Sequence, residues 1–376
     1  MSPNSQFKVL VVMGTRPEAI KLVPVIRELK KRDMDVKVCV TAQHREMLDQ
    51  VLTLFNVVPD FDLNIMKPHQ DITDVTTQVL VGMRQVLGAC RPDVVLVHGD
   101  TTTAMATALA SFYQKIPVGH IEAGLRSGNR YSPWPEEINR QLVGTLSTLH
   151  FCPTESARQN LLKEGVDPSI LHVTGNTVID TLLEVNTRIE ADAGLQHSLE
   201  KSLALEGRKM ILVTMHRREH FGQTFENICL ALKDIAQKDV QIVYPVHPNP
   251  NTREPAQRLL GGIENIHLIE PQEYLSFVYL IRRSFLILTD SGGLQEEAPS
   301  LHKPVLVVRN NTERPEGVEA GAVKLVGTER ANIFRETLNL LENTRAYEAM
   351  TTVNNPYGDG HAAERIADIL VRHASR

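Results

Sequence analysis

KVLVVMGTRPEAIK, residues 8–21, reads as a strand, a tight turn and the opening of a helix. Gly14 permits the turn, and Pro17 suits a first helical turn, where its missing N–H costs nothing. ILVTMHRREHFG, residues 211–222, repeats the order: strand, small turn, basic residue, glutamate, helix. Similar runs recur along the chain. They are VKVCVTA (36–42), DVVLVHG (93–99), PVGHIEAG (117–124), LHFCP (149–153) and ILHVTG (170–175). In the second half they are KMILVTM (209–215), VQIVYPV (240–246), NIHLIEP (265–271), SFLILTD (284–290) and KPVLVV (303–308). Helical patterns fill the spaces between. Strands that are apolar on both sides and rich in Val and Ile belong to parallel sheets covered by helices on both faces. About a dozen such strands exceed one comfortable open sheet. The polar segment from Glu184 to Lys209 marks the break, which predicts two Rossmann-like α/β domains facing each other across a cleft.

The 376 residues suffice for two domains with their own cores. Hydrophobic residues make up 42% and charged residues 23%, as in ordinary globular proteins. The net charge of -5 offers no basic stripe, so no nucleic-acid partner is expected. The N-terminal MSPNSQFKVLVV has no apolar core and no cleavage site, and no run is long enough to span a bilayer. A cytoplasmic protein without a membrane partner is expected. Cys39, Cys90, Cys152 and Cys229 form no CxxC pair and read as buried reduced thiols.

LTDSGGLQEEAPSLHKPVLV (288–307) carries the strongest ligand signal. A strand ends at Asp290, and Ser291, Gly292 and Gly293 read as a turn that exposes backbone N–H groups to phosphate oxygens. Glu297, four residues past Gly293, shares its helix face and could accept bonds from ribose hydroxyls. Arg16 and Lys21 supply charge at the first turn, although GTRPEAIK is not a GxGxxG fingerprint. Gly358 and Gly360 read as a turn before the last helix. Polar residues gather at other strand ends: Asp100, His120, Glu122, Glu136, Glu137, His216, Arg217 and Arg218. Each acid alone reads as a cap or turn residue. The case for general acid and base work rests on their equivalent positions, because strand carboxyl ends converge on the ligand crevice. Asp33, Asp35, Asp60 and Asp62 form two DxD pairs read as solvated connectors. The 14 histidines form no metal-ligand cluster.

The motifs GTRPEAIK, TAQHREMLDQVL, DLNIM, VLVHGDTTT, PVGHIEAGLR, YSPWPEE, TGNTVID, HRRE, VYPVH, LTDSGG, TERPE and NPYGDG resemble the non-hydrolysing bacterial UDP-N-acetylglucosamine 2-epimerases. The resemblance runs from Lys8 to about Ile369. It implies the glycosyltransferase-B fold, with an N-terminal domain over 1–180, a C-terminal domain over 181–359, and the final helix (360–376) packing back on the first. It implies UDP-GlcNAc and UDP-ManNAc as ligands, no cofactor, no metal and a homodimer. The implied reaction is epimerisation at C2, by elimination and re-addition of UDP through a 2-acetamidoglucal.

Carried over by position, Asp100, Glu122 and Glu136 match catalytic carboxylates and His216 a catalytic histidine. Arg16, Lys21, Ser291, Gly292, Gly293, Glu297 and Arg314 match nucleotide and phosphate contacts, and Gln272 and Phe277 the uracil side. Some members bind a second UDP-GlcNAc as an activator. Gln43, Gln70, Arg217 and His247 correspond to that site, while His69 stands where some of those members carry Arg. Asn310 stands where Asp is common, and His220 where a small polar residue is usual. The rivals are a hydrolysing 2-epimerase and a glycosyltransferase of the same fold.

Overall fold

The computed structural model describes residues 6–43, 45–67, 70–203, 205 and 207–375. Two compact units divide the chain: residues 1–181 with 358–376, and residues 182–357.

The first unit is built on a seven-stranded sheet in the order β3-β2-β1-β4-β5-β6-β7. Its strands are β1 (Lys8–Met13), β2 (Asp35–Val40), β3 (Phe61–Asp62), β4 (Val94–His98), β5 (Val118–Ile121), β6 (Leu149–Cys152) and β7 (Leu171–Val173). Every pairing is parallel; Val9, for example, sits opposite both Val36 and Val94. The core of β1 and β4 is fully buried from Val9 to Val11 and from Val94 to Val97. That is why both read as unbroken apolar runs. The second unit holds a six-stranded parallel sheet in the order β10-β9-β8-β11-β12-β13. Its strands are β8 (Lys209–Thr214), β9 (Val240–Pro245), β10 (Ile266–Ile269), β11 (Leu286–Thr289), β12 (Val305–Val307) and β13 (Val323–Leu325).

Eleven of these strands coincide with the sequence runs. The two that do not, β3 and β13, are outer strands of two and three residues. An outer strand has one neighbour and needs little apolar patterning. Hence Asp35 and Asp62, read as connector residues, lie in β2 and β3. The segment Glu184–Lys209, read as the break between domains, carries the end of the helix Thr177–Ala191 and the helix Ala193–Ser202, and the units divide just before it, between residues 181 and 182. The last helix, Ala362–Ala374, belongs to the first unit. Asp180 accepts the N–H groups of Ala362 (3.3 Å) and Ala363 (2.8 Å), and Arg32 pairs with Asp368. Ile366 and Leu370 of this helix are fully buried. Each such side chain contributes about 1.5–3 kcal/mol of burial.

Both sheets have a topological switch point, where successive connections leave toward opposite edges. In the first sheet it lies between β1 and β4, and in the second between β8 and β11. In open α/β sheets that crevice, at the carboxyl ends, is where ligands bind.

Candidate active site

At the first switch point, Gly14 follows β1. A Cβ there would lie 2.3 Å from Thr103 Oγ1 and 2.4 Å from Thr41 Oγ1, so close packing requires the glycine. The helix Arg16–Lys31 follows, with Pro17 in its first turn. Glu18 is buried and accepts from Gly14 N (3.0 Å), Thr15 N (2.9 Å) and Thr101 Oγ1 (2.7 Å). It therefore ties the loop after β1 to the loop after β4. Burial raises its carboxyl above the usual range, against the pull of these bonds.

Glu122 follows β5 with φ 64, in the left-handed region that a glutamate rarely adopts. Its Oε2 takes an ion pair from Lys21 and a hydrogen bond from Asn176 Nδ2 at 3.0 Å. His98 Nε2, at the end of β4, is 3.5 Å away. Burial alone would raise this carboxyl, but the charges of Lys21 and His98 outweigh it and hold Glu122 well below the usual range. Lys21, matched to a phosphate contact, pairs here with this carboxylate. Asp100 follows β4 and accepts from Arg140 Nε at 2.9 Å, while Asn139 Nδ2 bonds its carbonyl.

Glu136 and Glu137 open the helix Glu136–Leu146 and do different work. Glu137 is buried, accepts from Ser127 N (2.9 Å) and Gly128 N (3.1 Å), and pairs with Arg140. Its role is to fix the preceding loop. Glu136 keeps a buried Oε2 with no hydrogen-bond partner among the described residues. His120 is a core residue rather than an acid–base candidate. Its Nε2 meets the Gly99 carbonyl at 2.8 Å, and burial pulls its pKa down to about 3, so the ring stays neutral.

At the second switch point, Asp290 follows β11 and is fully buried. Its Oδ2 accepts from His216 N (2.9 Å), Arg217 N (2.9 Å) and His220 Nδ1 (3.2 Å). Its Oδ1 lies 3.1 Å from His216 Nδ1. Burial pushes this carboxyl up, yet the bonds from His216 and His220 and the charge of His216 hold it below the usual range. His216 itself is exposed, so its Nε2 remains available. The His247 ring lies 6.3 Å from it at 27°. Arg217 bonds Glu313 at 3.0 Å, and Arg218 opens the short turn Arg218–His220.

The glycines after Asp290 do not form a turn. Gly292 and Gly293 are the first residues of the short helix Gly292–Glu297. A Cβ on Gly292 would lie 2.9 Å from Arg314 Cζ. The absent side chain is what lets the guanidinium lie across the helix start. Arg314 bonds Glu296 at 2.8 Å and Glu313 at 3.0 Å. Glu313 is held down to about 2, since Arg314 and Arg309 outweigh its burial. Glu297 is buried beside Tyr274, whose hydroxyl donates to it at 3.4 Å. Tyr274 opens the helix Tyr274–Arg283, which carries Phe277, and Gln272 precedes it. Ser291, expected in the turn, directly precedes the helix Gly292–Glu297 without a capping side-chain bond and donates its N–H to Thr289 Oγ1. Arg16 is half-buried at the start of its helix.

Gln43 and Gln70 line one cavity of about 320 Å³ with Lys67 and Thr102, while Arg217 and His247 sit near His216 in the second unit. His69 lies outside the described residues. Sequence reading missed Glu18, His98, Asn176 and Asp290 as site residues. Their only signal was a polar side chain at the end of an apolar strand or at a loop–helix junction. All four cysteines are buried and unpaired. Among the described residues, no group of three or more potential ligands could hold a metal ion, and no helix is long and apolar enough to cross a membrane.

Residues 27–371 match the family model for UDP-N-acetylglucosamine 2-epimerase. The UDP-N-acetylglucosamine 2-epimerase of Escherichia coli K12 is 58% identical over 368 residues, which span 96% of this chain and 98% of that protein. The crystal structure of the Neisseria meningitidis UDP-GlcNAc 2-epimerase, bound to UDP-GlcNAc, is 53% identical with a TM-score of 0.91. It covers 97% of this chain and 100% of its own. The Methanocaldococcus jannaschii UDP-GlcNAc 2-epimerase, in complex with UDP-GlcNAc and UDP, is 36% identical with a TM-score of 0.82. It covers 97% of this chain and 99% of its own. The family and the α/β glycosyltransferase-B class expected from the motifs are both upheld.

Proposed function

The chain belongs to the UDP-N-acetylglucosamine 2-epimerase family, and we propose that it interconverts UDP-GlcNAc and UDP-ManNAc without hydrolysis. The observation that carries this reading is Glu122, largely enclosed, ionised and held in left-handed backbone at a strand end. Strain of that kind costs about 1–3 kcal/mol and persists where function needs it.

The hydrogen on sugar C2 is not acidic, because no carbonyl adjoins it. Cleavage of the C1–O bond leaves its electron pair on the diphosphate and gives C1 oxocarbenium character. A carboxylate then removes the C2 proton and a 2-acetamidoglucal forms. In the return step a diphosphate oxygen attacks C1, and a proton reaches the opposite face of C2. Asp100, Glu122 and Glu136 serve this proton traffic. Lys21 and His98 keep Glu122 ionised, as a base must be. His216, oriented by Asp290, assists the departing phosphate. Arg16, Ser291, Gly292, Gly293 and Arg314 serve the phosphates, Glu297 the ribose, and Gln272 and Phe277 the uracil. Gln43, Gln70, Arg217 and His247 serve a second, activating UDP-GlcNAc. No cofactor or metal enters the scheme.

The test is incubation of the pure protein with UDP-GlcNAc and excess chelator, followed by NMR of the products. UDP-ManNAc is expected. Free UDP with ManNAc as the only products would make it a hydrolysing enzyme, and activity restored only by Mg²⁺ or Mn²⁺ would end the metal-free scheme.

The ribose assignment predicts that Glu297→Ala raises KM for UDP-GlcNAc by about tenfold or more, with a smaller change in kcat, because ribose contacts persist into the transition state. Arg314→Lys keeps the charge but loses the planar fork and should also raise KM. Unchanged KM in both would remove these residues from the nucleotide site.

In the same reading the protein is a cytoplasmic homodimer. The buried unpaired cysteines suit a reducing compartment. The helices Ile72–Cys90, Thr102–Tyr113 and Glu136–Leu146 pack side by side and expose Val81, Phe112, Tyr113 and Leu142. Exposed apolar patches mark association surfaces. Light scattering should find a dimer for the wild type and a monomer for the Phe112→Glu/Tyr113→Glu variant. A variant that stays dimeric would place the interface elsewhere.

A further inference from the structure

We propose that His220 is a positioning residue for His216, acting through Asp290. The proposal rests on the reading of His216 as the group that meets the departing phosphate. His220 is 3% exposed, and an imidazole is costly to bury unless its nitrogens are engaged. Its Nδ1 lies 3.2 Å from Asp290 Oδ2. The same oxygen accepts the backbone N–H groups of His216 and Arg217, each at 2.9 Å. Three donors converging on Oδ2 fix the plane of the carboxylate. Its other oxygen, Oδ1, then faces His216 Nδ1 at 3.1 Å. This approach is an ion-pair contact rather than an aligned hydrogen bond; it sets the carboxylate charge against Nδ1 and leaves Nε2 for the substrate.

His220 also sets how much of the Asp290 charge reaches His216. A donor on Oδ2 draws negative charge away from Oδ1. Without it, Asp290 stabilises the His216 imidazolium more strongly, and His216 should titrate at higher pH. Other charged and titratable groups frame the pair. On the same segment are Arg217 and Glu219, whose Oε1 lies 3.8 Å from His220 Nε2. From β9 and the loop after it come Tyr244, bonded to the Met215 carbonyl, and His247, beside the His216 ring. From beyond β12 come Arg309, bonded to Glu219, and Glu313, bonded to Arg217. Apart from His220, no side chain among these donates to Asp290 Oδ2; Arg217 reaches it only through its backbone N–H.

The experiment compares wild type with His220→Leu, which removes the donor, and His220→Asn, which restores one at the place of Nδ1. Histidine-selective NMR follows the His216 titration, and kcat and KM are measured across pH. In H220L the His216 midpoint should rise and its limb of the kcat profile should move with it. The kcat should fall by about tenfold or more, the effect of losing one hydrogen bond to a charged group, with little change in KM. H220N should recover both. An unmoved His216 midpoint in a folded H220L overturns the proposal, as does an activity loss that H220N does not rescue. If H220L fails to fold, nitrogen-15 NMR of the wild type decides: a His220 protonated only at Nε2 overturns the assignment. A wild type with no epimerase activity but the expected His216 behaviour would defeat the functional reading and leave this linkage standing.

Discussion

UDP-ManNAc formed in D₂O should carry deuterium at C2, and Glu122→Gln should reduce kcat by about a hundredfold or more. The label follows from inversion itself. A proton removed on one face and returned on the other passes through two different groups, and at least one of these exchanges with solvent. The variant keeps the size of the side chain and its hydrogen bond to Asn176, but it removes the base. It also leaves Lys21 without its carboxylate, although that side chain is only 14% exposed. Some stability should therefore be lost, on the order of 1–3 kcal/mol. Circular dichroism separates that from unfolding. Asp100→Asn and Glu136→Gln should lower kcat as well, with KM much less affected. Proton NMR of the product reads the label. Full retention of the C2 hydrogen by wild type would sink the elimination scheme and point to oxidation and re-reduction at a neighbouring carbon.

This prediction depends on Glu122 being ionised inside the protein, which no single segment of the chain declares. The sequence placed Glu122 at a strand end, and β5 does end at Ile121. It did not reveal that Lys21, 101 positions away, would neutralise it, or that His98 and Asn176 would close around it. Those neighbours meet only because β1, β4, β5 and β7 are parallel, so the segments that follow them emerge on the same side of the first sheet. Patterns of period two or 3.6 report which face of an element is buried. They say nothing about which polar residue of one element meets which of another.

The same limit explains the misassigned residues. His120 looked like Glu122's companion because both break the apolar run PVGHIEAG. Alternation puts them on the same side in an ideal strand, but Glu122 lies beyond β5 in left-handed backbone, while His120 points at the Gly99 carbonyl in the core. Glu136 and Glu137 are adjacent on one helix and so point about 100° apart. Glu137 fixes a loop, and Glu136 keeps a buried oxygen with no hydrogen-bond partner among the described residues. Gly292 was read as a turn residue; it opens a helix instead, and its missing Cβ matters for packing. The space it leaves is filled by Arg314, from a segment past the next strand. Elements were legible wherever apolar runs were long; what failed were the two short outer strands, where a pair or triplet of residues carries no period.

Asp290→Asn should be the most damaging single change in the second unit, in both activity and stability. Asp290 is wholly buried and holds three donors on one oxygen, with His216 Nδ1 against the other. An amide has only one acceptor atom. Either His216 or the cluster on Oδ2 must then face an N–H group, and no carboxylate charge stands against His216 Nδ1. The kcat should fall by about a hundredfold or more, because His216 can neither be oriented nor stabilised as a cation. Loss of a buried, paired charge should cost about 3–5 kcal/mol at neutral pH. The sign of the pH dependence follows from the direction of the carboxyl's shift. Its pKa in the folded protein lies below the ordinary value of 3.8, so the unfolded chain takes up the proton first as pH falls. Asp290 therefore contributes stability above about pH 4, and the contribution is lost as pH drops through the lower folded value. Urea unfolding at pH 7 should show the full gap between wild type and Asp290→Asn, and the gap should narrow below pH 4. A gap that is constant across that range would mean the carboxylate is not held ionised by His216 and His220, and the orientation assigned to His216 would lose its electrostatic basis.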